Sequence, residues 1–303
     1  MKKSLITGAS GFLGNTLLSK LNQLGHETIA LDSKNADLTN SNALESYSSL
    51  KIDYIFHLAA WTQAGDFCVY HPGEQWNINQ QINTTVLNWW SKNQPKAKLI
   101  SIGTSCCYQE SMIHKEENYL IGVPREELYT YAMTKRMLLV GQKALQNQFG
   151  LKYLTFIPST LYGPYYNIKK KQLHFIFDII RKVLDYKENQ KEIILWGDGT
   201  QKRELVFVED FVNIMIILLD KLENEVVNIG AGKEYNIKEF AQIVCNIIGI
   251  NHENIKYDTS RYTGAKSKIL DNSKLNKLIQ NYSQIPIEDG LKLTIDWIMH
   301  NSN

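Results

Sequence analysis

Residues 4–14 read SLITGASGFLG, a short apolar run that passes directly into Gly8, Gly11 and Gly14. The run at residues 4–7 predicts a β-strand, and the apolar periodicity of residues 11–24 predicts a helix. Glycine permits a tight turn between the two and lets backbone N–H groups and the positive helix end approach an anion. The stretch therefore predicts a strand–turn–helix unit that can bind a pyrophosphate; a glycine-rich turn without a ligand is the alternative.

The first half of the chain repeats this strand–helix rhythm. Further strands are predicted at residues 28–31, 54–57, 99–102 and 153–157, with helices at residues 77–92 and 128–149. Such alternation is typical of α/β proteins, in which right-handed crossovers cover both faces of a parallel sheet with helices. We expect a Rossmann-type, doubly wound parallel sheet.

The end of the second predicted strand carries a carboxylate, Asp32. The adenosine ribose of a bound dinucleotide would lie there, and a carboxylate accepts hydrogen bonds from both ribose hydroxyls while repelling a 2′-phosphate. Asp32 therefore favours NAD over NADP, although Lys34 is close enough to offset part of the repulsion. Asp37 and Leu38 are candidates for contact with the adenine, and Asp37 also fits a simple turn aspartate.

The alternation of predicted strands and helices becomes less regular after Pro158. Helices are predicted at residues 173–186, 211–222 and 237–248, strands at residues 193–195 and 226–229, and a final helix pair around Leu275 and Leu291. We expect residues 1–158 to form an NAD-binding Rossmann domain to which later elements return. Residues 159–303 would mainly form a smaller mixed α/β substrate domain.

Composition excludes several function classes. The chain has 303 residues and a net charge of +2, which gives no general electrostatic case for nucleic acid or an anionic membrane. Its longest apolar run is too short to cross a bilayer, and its start lacks the pattern of a signal peptide. Four cysteines make no disulfide framework at this length, and dispersed histidines without a Cys-x₂-Cys pair predict no metal site. We expect a cytoplasmic protein with reduced thiols.

Tyr131-Ala-Met-Thr-Lys135 lies within the helix predicted at residues 128–149. Positions i and i+4 share one helix face, so the phenol and the ammonium can converge on one site. A nearby ammonium is expected to lower the tyrosine pKa and to make a usable base.

Seven motifs in order carry a family resemblance. They are TGASGFLG (7–14), HLAA (57–60), GTSCCY (103–108), YAMTK (131–135), LYGP (161–164), WGDGTQKRELVFVED (196–210) and NIGAG (228–232). With them the chain resembles the extended short-chain dehydrogenase/reductase family of nucleotide-sugar epimerases, dehydratases and reductases. The resemblance implies that Thr104, Tyr131 and Lys135 are catalytic. It implies a cofactor site made of Gly8, Ser10, Gly11, Phe12, Leu13, Gly14, Asp32, Asp37, Leu38, Leu58, Ala59, Ala60, Tyr131, Lys135 and Pro158.

Within that family the likeness is greatest to the GDP-L-fucose synthase branch. It implies catalytic roles for Cys106 and His174, although either residue could simply pack. As neighbours along a strand, Cys106 and Cys107 would point to opposite sides, so Cys107 is expected to be structural. The substrate residues implied are Thr104, Thr160, His174, Arg181, Trp196, Arg203 and Lys268.

Three departures from that branch shift the expected reaction. Asp32 replaces an arginine, Thr160 replaces an asparagine, and the loop at residues 61–66 differs in content. An NAD enzyme more often oxidises or recycles its cofactor in place. We therefore expect an NAD-dependent enzyme acting at C4 of a nucleotide sugar, such as GDP-manno-heptose or a GDP-hexose, to give a 4-keto sugar for surface polysaccharide, as in capsule biosynthesis.

Alternatives remain open. One is an epimerase, or an epimerase/reductase that acts on a GDP-4-keto-6-deoxy sugar. Another is an NAD-sensing regulator without catalysis, which the intact Thr–Tyr–Lys set disfavours. A 4,6-dehydratase would carry an Asp-Glu pair where this chain has Ser105 and Cys106. The resemblance also implies a homodimer through a four-helix bundle of the helices at residues 77–92 and 128–149.

Overall fold

A computed structural model of the chain describes residues 1–63, 67–169, 172–261, 264–280 and 282–301. Its centre is a six-stranded sheet in which every neighbouring pair is parallel. The strands are β1 (Lys3–Thr7), β2 (Glu27–Leu31), β3 (Tyr54–His57), β4 (Lys98–Ile102), β5 (Tyr153–Pro158) and, much later in the chain, β10 (Glu225–Ile229).

The strand order is β10-β5-β4-β3-β1-β2. The chain leaves β1 in one direction to form β2 and returns on the other side to form β3, so the topological switch point lies between β1 and β3. Ligands of open α/β sheets bind outside the carboxyl ends of the strands at such a point. The expected doubly wound α/β fold is confirmed, and β10 is an element that returns to the first sheet.

Helices cover both faces of this sheet. Leu5, Ile55 and Leu99 face one apolar cluster, while Ile6, Phe56 and Ile100 face another. A parallel strand buried on both faces carries a continuous apolar run, and this is why these strands were readable in the sequence. The helices before residue 160 are α1 (Phe12–Gln23), α2 (Phe67–Tyr70), α3 (Pro72–Asn93) and α4 (Tyr129–Phe149).

The later part of the chain has its own apolar cluster and three two-stranded sheets. Strands pair as β6 (Thr160–Tyr162) with β9 (Leu205–Phe207), β7 (Ile193–Trp196) with β12 (Ile255–Asp258), and β8 (Lys202–Arg203) with β11 (Tyr235–Asn236). The helices are α5 (Phe175–Asn189), α6 (Val208–Leu219), α7 (Ile237–Ile248), α8 (Ser273–Leu278) and α9 (Ile287–Asn301).

Some local expectations were wrong. Helix α6 begins at Val208, three residues before the predicted start, and α5 begins at Phe175 rather than residue 173. Cys106 and Cys107 lie in a 3₁₀ turn over Ser105–Cys107, not along a strand. Thr104 causes this, because its side chain accepts a hydrogen bond from the backbone N–H of Cys106 and caps the turn. Among the described residues, no helix is both long and apolar enough to cross a membrane.

Candidate active site

The glycine turn after β1 has no room for larger residues. Gly8 has a φ of +70°, and a Cβ atom there would lie 2.9 Å from the backbone nitrogen of Ala59. A Cβ atom on Gly14 would lie 2.2 Å from the carbonyl oxygen of Gly8. The turn therefore packs tightly on its own backbone and leaves the start of α1 open at the switch point. These residues fit the pyrophosphate of a nicotinamide dinucleotide.

The turn after β2 is held by its own side chains. Asp32 is half-buried, its carboxylate accepts the backbone N–H of Lys34 at 2.9 Å, and its own N–H is bound by Asn35. The Asp37 carboxylate accepts both the N–H and the hydroxyl of Thr39, and these hydrogen bonds lower its pKa. Asp32 thus lies at the end of β2, where the contact with the ribose is expected, whereas Asp37 is a turn aspartate beside the buried Leu38.

The residues of the expected catalytic set lie together. Thr104 follows β4, and its side chain lies near enough to that of Tyr131, on the first turn of α4, to lower the pKa of the phenol. One turn further along, the Lys135 ammonium donates to the carbonyl of Ile102 at 3.0 Å. The end of β4 therefore positions both the tyrosine and the lysine beside the switch point of the sheet.

The expected lowering of the Tyr131 pKa is wrong. Burial raises the pKa of Tyr131 well above its ordinary value, and the neighbouring Cys106, Cys107 and Cys68 add to that rise. The Thr104 side chain opposes the rise without reversing it. Burial also lowers the pKa of Lys135 to about 8. Desolvation thus dominates at Tyr131, and a phenol whose pKa is raised keeps its proton at neutral pH.

Cys106 faces a cation from the far end of the chain. The Lys268 ammonium donates to the Cys106 sulfur at 3.1 Å. Burial acts to raise the pKa of the Cys106 thiol, but Lys268, Thr104 and Arg125 together bring it below its ordinary value. Cys107 is fully buried instead, donates to the Ala132 carbonyl, and has its pKa raised to about 12 by that burial. Only one of the two adjacent sulfurs is therefore placed for acid–base chemistry.

His174 occupies the position immediately before α5, and its side chain makes no capping hydrogen bond to the helix. Solvent reaches the residue, yet the surrounding protein desolvates its ring and, with Lys268, lowers its pKa to about 4. The backbone N–H of His174 donates to the Tyr166 hydroxyl. The Tyr166 ring packs edge-on against Phe12, the first residue of α1 after the glycine turn. A neutral His174 therefore lies between the turn and Lys268.

The remaining expected substrate residues are more dispersed. Arg203 donates to the carbonyl of Ala265 at 2.7 Å, and its Nη2 lies close to Gly264. Arg181 is held by Asp178 one turn back in α5, at 2.9 Å. Trp196 is 54% exposed beneath Arg261, and Thr160 is half-buried in β6 opposite Leu205.

The expected cofactor residues cluster at the carboxyl edge of the sheet. Ala59 follows β3, and its N–H donates to the Thr7 hydroxyl at 3.2 Å. Leu58 and Ala60 flank it and are half-buried, while Pro158 is buried at the end of β5. The loop at residues 61–66 comes next, and its residues 64–66 lie outside the described residues.

The sequence profile described as "NAD dependent epimerase/dehydratase family" matches residues 4–230. The chain belongs to this family. It is accordingly an enzyme of the extended short-chain dehydrogenase/reductase type, and a nicotinamide dinucleotide is its cofactor class. The resemblance stated from the motifs is confirmed.

Relatives of this family member include the GDP-L-fucose synthase of Azorhizobium caulinodans, which is 30% identical over 91% of this chain and 90% of that protein. A solved GDP-6-OMe-4-keto-L-xylo-heptose reductase from C. jejuni has a TM-score of 0.89 at 22% identity, covering 100% of this chain and 98% of that one. A GDP-L-fucose synthetase from Naegleria fowleri bound to NADP has a TM-score of 0.86 at 23% identity, covering 99% and 95%. The two structures share the fold of this epimerase/dehydratase family chain.

Two acidic residues of the site escaped the sequence reasoning. Glu204 is 1% exposed and accepts the backbone N–H groups of Gly232 and Leu270. Glu234 accepts the hydroxyl of Ser267 and the N–H of Lys268. Glu204 directly follows Arg203 in the motif WGDGTQKRELVFVED (196–210), and this position could have indicated that it belongs to the site. Among the described residues, no group of three or more His, Cys, Asp or Glu side chains could hold a metal ion.

Proposed function

We propose that this enzyme interconverts the 4-hydroxyl and 4-keto forms of a GDP-linked sugar, with NAD(H) as cofactor. The observation that carries the proposal is the placing together of Thr104 and Tyr131, with Lys135 one turn away and the glycine turn at the same sheet edge. The nicotinamide supplies or accepts the hydride at C4 when it is bound. Tyr131 moves the proton at the O4 oxygen, and Thr104 hydrogen-bonds that oxygen and orients it.

The protonation of Tyr131 supports the reducing direction. A phenol with a raised pKa holds its proton at neutral pH, so it can donate that proton to a ketone oxygen as C4 is reduced. Oxidation to a 4-keto sugar is the reverse of the same step, and it requires Tyr131 to lose its proton first. Since the proteins similar to this chain include a GDP-6-OMe-4-keto-L-xylo-heptose reductase, we place reduction of a GDP-4-keto sugar ahead of oxidation of the alcohol.

A second activity is favoured by the contact between Lys268 and Cys106. A ketone at C4 acidifies the C–H bonds of the neighbouring carbons, and a thiolate beside an ammonium can remove such a proton. A neutral His174 in the same cleft can carry a proton to or from the sugar. This supports an epimerase/reductase, which epimerises the carbon next to the ketone and then reduces C4.

The cofactor preference rests on Asp32. The N–H of Lys34 holds the half-buried Asp32 carboxylate at the end of β2, where we propose that the adenosine ribose binds. Negative charge there disfavours the 2′-phosphate of NADP, so we propose NAD(H). Arg203 and the exposed Trp196 support a nucleotide diphosphate. A guanidinium can bind a phosphate through two parallel N–H donors, and an indole can stack on a base.

The GDP group and the sugar class come from the relatives. The names of the similar proteins mention GDP-L-fucose and a GDP-4-keto-heptose. A GDP-hexose or a GDP-manno-heptose precursor of a cytoplasmic surface-polysaccharide pathway is therefore proposed. We also propose the division into a cofactor domain at residues 1–158 and a substrate domain at residues 159–303.

A homodimer through α3 and α4 is part of the proposal. On α4, Met137 and Val140 are 40% and 41% exposed, and Ala144 extends the same apolar stripe by one turn. An exposed apolar stripe at this spacing supports packing against a copy of itself in a four-helix bundle.

The test is a substrate panel followed at the reduced-nicotinamide absorbance band. The purified protein with NADH is given 4-keto sugars linked to GDP, UDP or dTDP. The proposal predicts loss of NADH with a GDP-linked 4-keto hexose or heptose and little loss with the others. Turnover confined to UDP or dTDP sugars would contradict the GDP assignment, and NADH binding without any turnover would favour the regulator.

A further inference from the structure

Residues 264–270 form an irregular segment that carries Lys268 into the cleft. The Lys268 ammonium meets the Cys106 sulfur at 3.1 Å, although the two residues are 162 positions apart. A lysine side chain has many rotamers, and ordering it costs free energy. The contact therefore depends on how firmly the backbone of the segment is placed.

Neighbouring strands hold the first half of the segment. The Arg203 guanidinium donates to the Ala265 carbonyl at 2.7 Å, and the N–H of Lys202 donates to the Lys266 carbonyl at 2.8 Å. At the far end the buried Glu204 carboxylate accepts the N–H of Leu270 at 3.1 Å. These contacts fix both ends of the segment around Lys268.

Glu234 acts at Lys268 itself. One oxygen of its carboxylate accepts the Ser267 hydroxyl at 2.6 Å and the Lys268 N–H at 2.9 Å. Two donors from successive residues on one oxygen define the direction in which the Lys268 side chain leaves the backbone. Hydrogen bonds to a charged acceptor are also stronger than neutral ones.

We propose that Glu234 is a positioning residue: it fixes the backbone of Lys268 so that the ammonium stays against the Cys106 sulfur and increases the reactivity of that sulfur. Glu204 anchors the end of the same segment. The inference rests on the proposed function only for the use of the thiolate in epimerisation.

The balance of effects at Cys106 supports this role. Burial is the largest influence and raises the pKa of the thiol, while Lys268 is the first of the influences that lower it. Burial raises the pKa of Cys68 and Cys245, where no cation among the described residues opposes that rise. Displacing Lys268 would leave burial dominant at Cys106 as well.

The test is the rate at which iodoacetamide alkylates Cys106 as a function of pH. In this reaction the thiolate displaces iodide and forms a carbon–sulfur bond, so the rate reports the thiolate fraction. Cys106 is partly exposed and the other three cysteines are buried, so labelling is selective, and mass spectrometry identifies the labelled residue. The assay needs neither substrate nor cofactor.

Four variants define the result. Lys268→Met should slow alkylation at pH 7 about tenfold, because the Cys106 thiolate loses the ammonium that stabilises it. Glu234→Ala should slow it by a similar factor and move the pH profile upward. Glu234→Gln should stay within about twofold of the parent, because an amide oxygen accepts the same two donors. Glu192→Ala, a surface acid that pairs with Lys256, is the matched control.

Parent-like alkylation of folded Glu234→Ala would overturn the proposal, as would equal slowing by Glu234→Gln. If Glu234→Ala does not fold, Ser267→Ala removes one of the two hydrogen bonds and should give an intermediate rate; a parent-like rate there overturns the proposal too. Turnover of GDP-4-keto sugars is measured on the same preparations. If alkylation is slowed in Glu234→Ala but the parent turns over no GDP-4-keto sugar, the proposed function is contradicted and the role of Glu234 stands. If the parent turns over the sugar but Glu234→Ala is alkylated at the parent rate, only the role of Glu234 is contradicted.

Discussion

Thr7 and His57 share a buried hydrogen bond of 2.9 Å that joins β1, just before the glycine turn, to β3. His57 is bound in turn by the Asn83 side chain at 3.1 Å, and Asn83 donates to the carbonyl of Thr134 at 3.3 Å. Burial lowers the pKa of His57 to about 4, so the ring is neutral. These polar contacts connect the cofactor turn with the helix that carries Tyr131 and Lys135.

Removing Asn83 should therefore destabilise the protein. Asn83→Ala leaves the Nε2 atom of the buried His57 ring without its partner and removes the side-chain hydrogen bond to the Thr134 carbonyl, which costs about 1–3 kcal/mol of unfolding free energy. Urea denaturation measures this loss. Asn88→Ala, at an exposed position of the same helix, should change the free energy by less than about 0.5 kcal/mol. Equal effects of the two substitutions would contradict the importance of this network.

Asp32 should determine cofactor choice. Asp32→Ala removes the charge that repels a 2′-phosphate, so the preference for NADH over NADPH should fall by at least about tenfold. The ratio of kcat/KM values for the two cofactors measures it. Asp37→Ala is the matched control, since that carboxylate is already bound to Thr39 and should leave the ratio nearly unchanged. A parent-like ratio in Asp32→Ala would refute the assignment.

Glu204 should make stability depend on pH. Burial raises its pKa from 4.5 to about 7 in the folded protein. Between these pH values the folded protein keeps a proton that the unfolded chain has released, so the free energy of unfolding falls as pH rises and is level above about 7. The fall amounts to about 3 kcal/mol at 1.4 kcal/mol per pKa unit. Urea denaturation at pH 5 and pH 8 should show it, and Glu204→Gln should remove most of the difference. An unchanged pH dependence in Glu204→Gln would contradict this account.

Tyr131 should be needed for turnover and not for cofactor binding. Tyr131→Phe removes the acidic hydroxyl and should lower kcat for ketone reduction by about 10²–10⁴-fold. The NADH dissociation constant, measured by fluorescence titration, should change little. Tyr129→Phe, two residues earlier on the same helix and 45% exposed, should turn over at the parent rate. Undiminished kcat in Tyr131→Phe would exclude Tyr131 as the proton donor.

Much of the fold was predictable because buried parallel strands such as β3 and β5 are mostly apolar runs. The two-residue strands β8 and β11 were not predictable, since they are too short for a periodic pattern. At the site, Tyr131 and Lys135 are one helical turn apart, so their spacing indicated a shared face.

Local sequence patterns could not predict the contacts of the site that join distant segments of the chain. Lys268 was singled out by resemblance, while its contact with Cys106 came from the fold. Glu204 and Glu234 bind backbone N–H groups of a distant segment, and these partners cannot be read from the residues beside them in the sequence. The predicted direction of the Tyr131 pKa shift was wrong because the spacing of two residues in the sequence does not show how deeply the phenol is buried.

The most direct test of redox chemistry at C4 is the transfer of deuterium. The enzyme is incubated with a GDP-linked 4-keto sugar and NADH deuterated at the transferred position of the nicotinamide, and the sugar is analysed by NMR. The account predicts deuterium at C4 of the product, and loss of that transfer in Tyr131→Phe. A product without deuterium at C4, or deuterium at C4 at the parent rate in Tyr131→Phe, would contradict it.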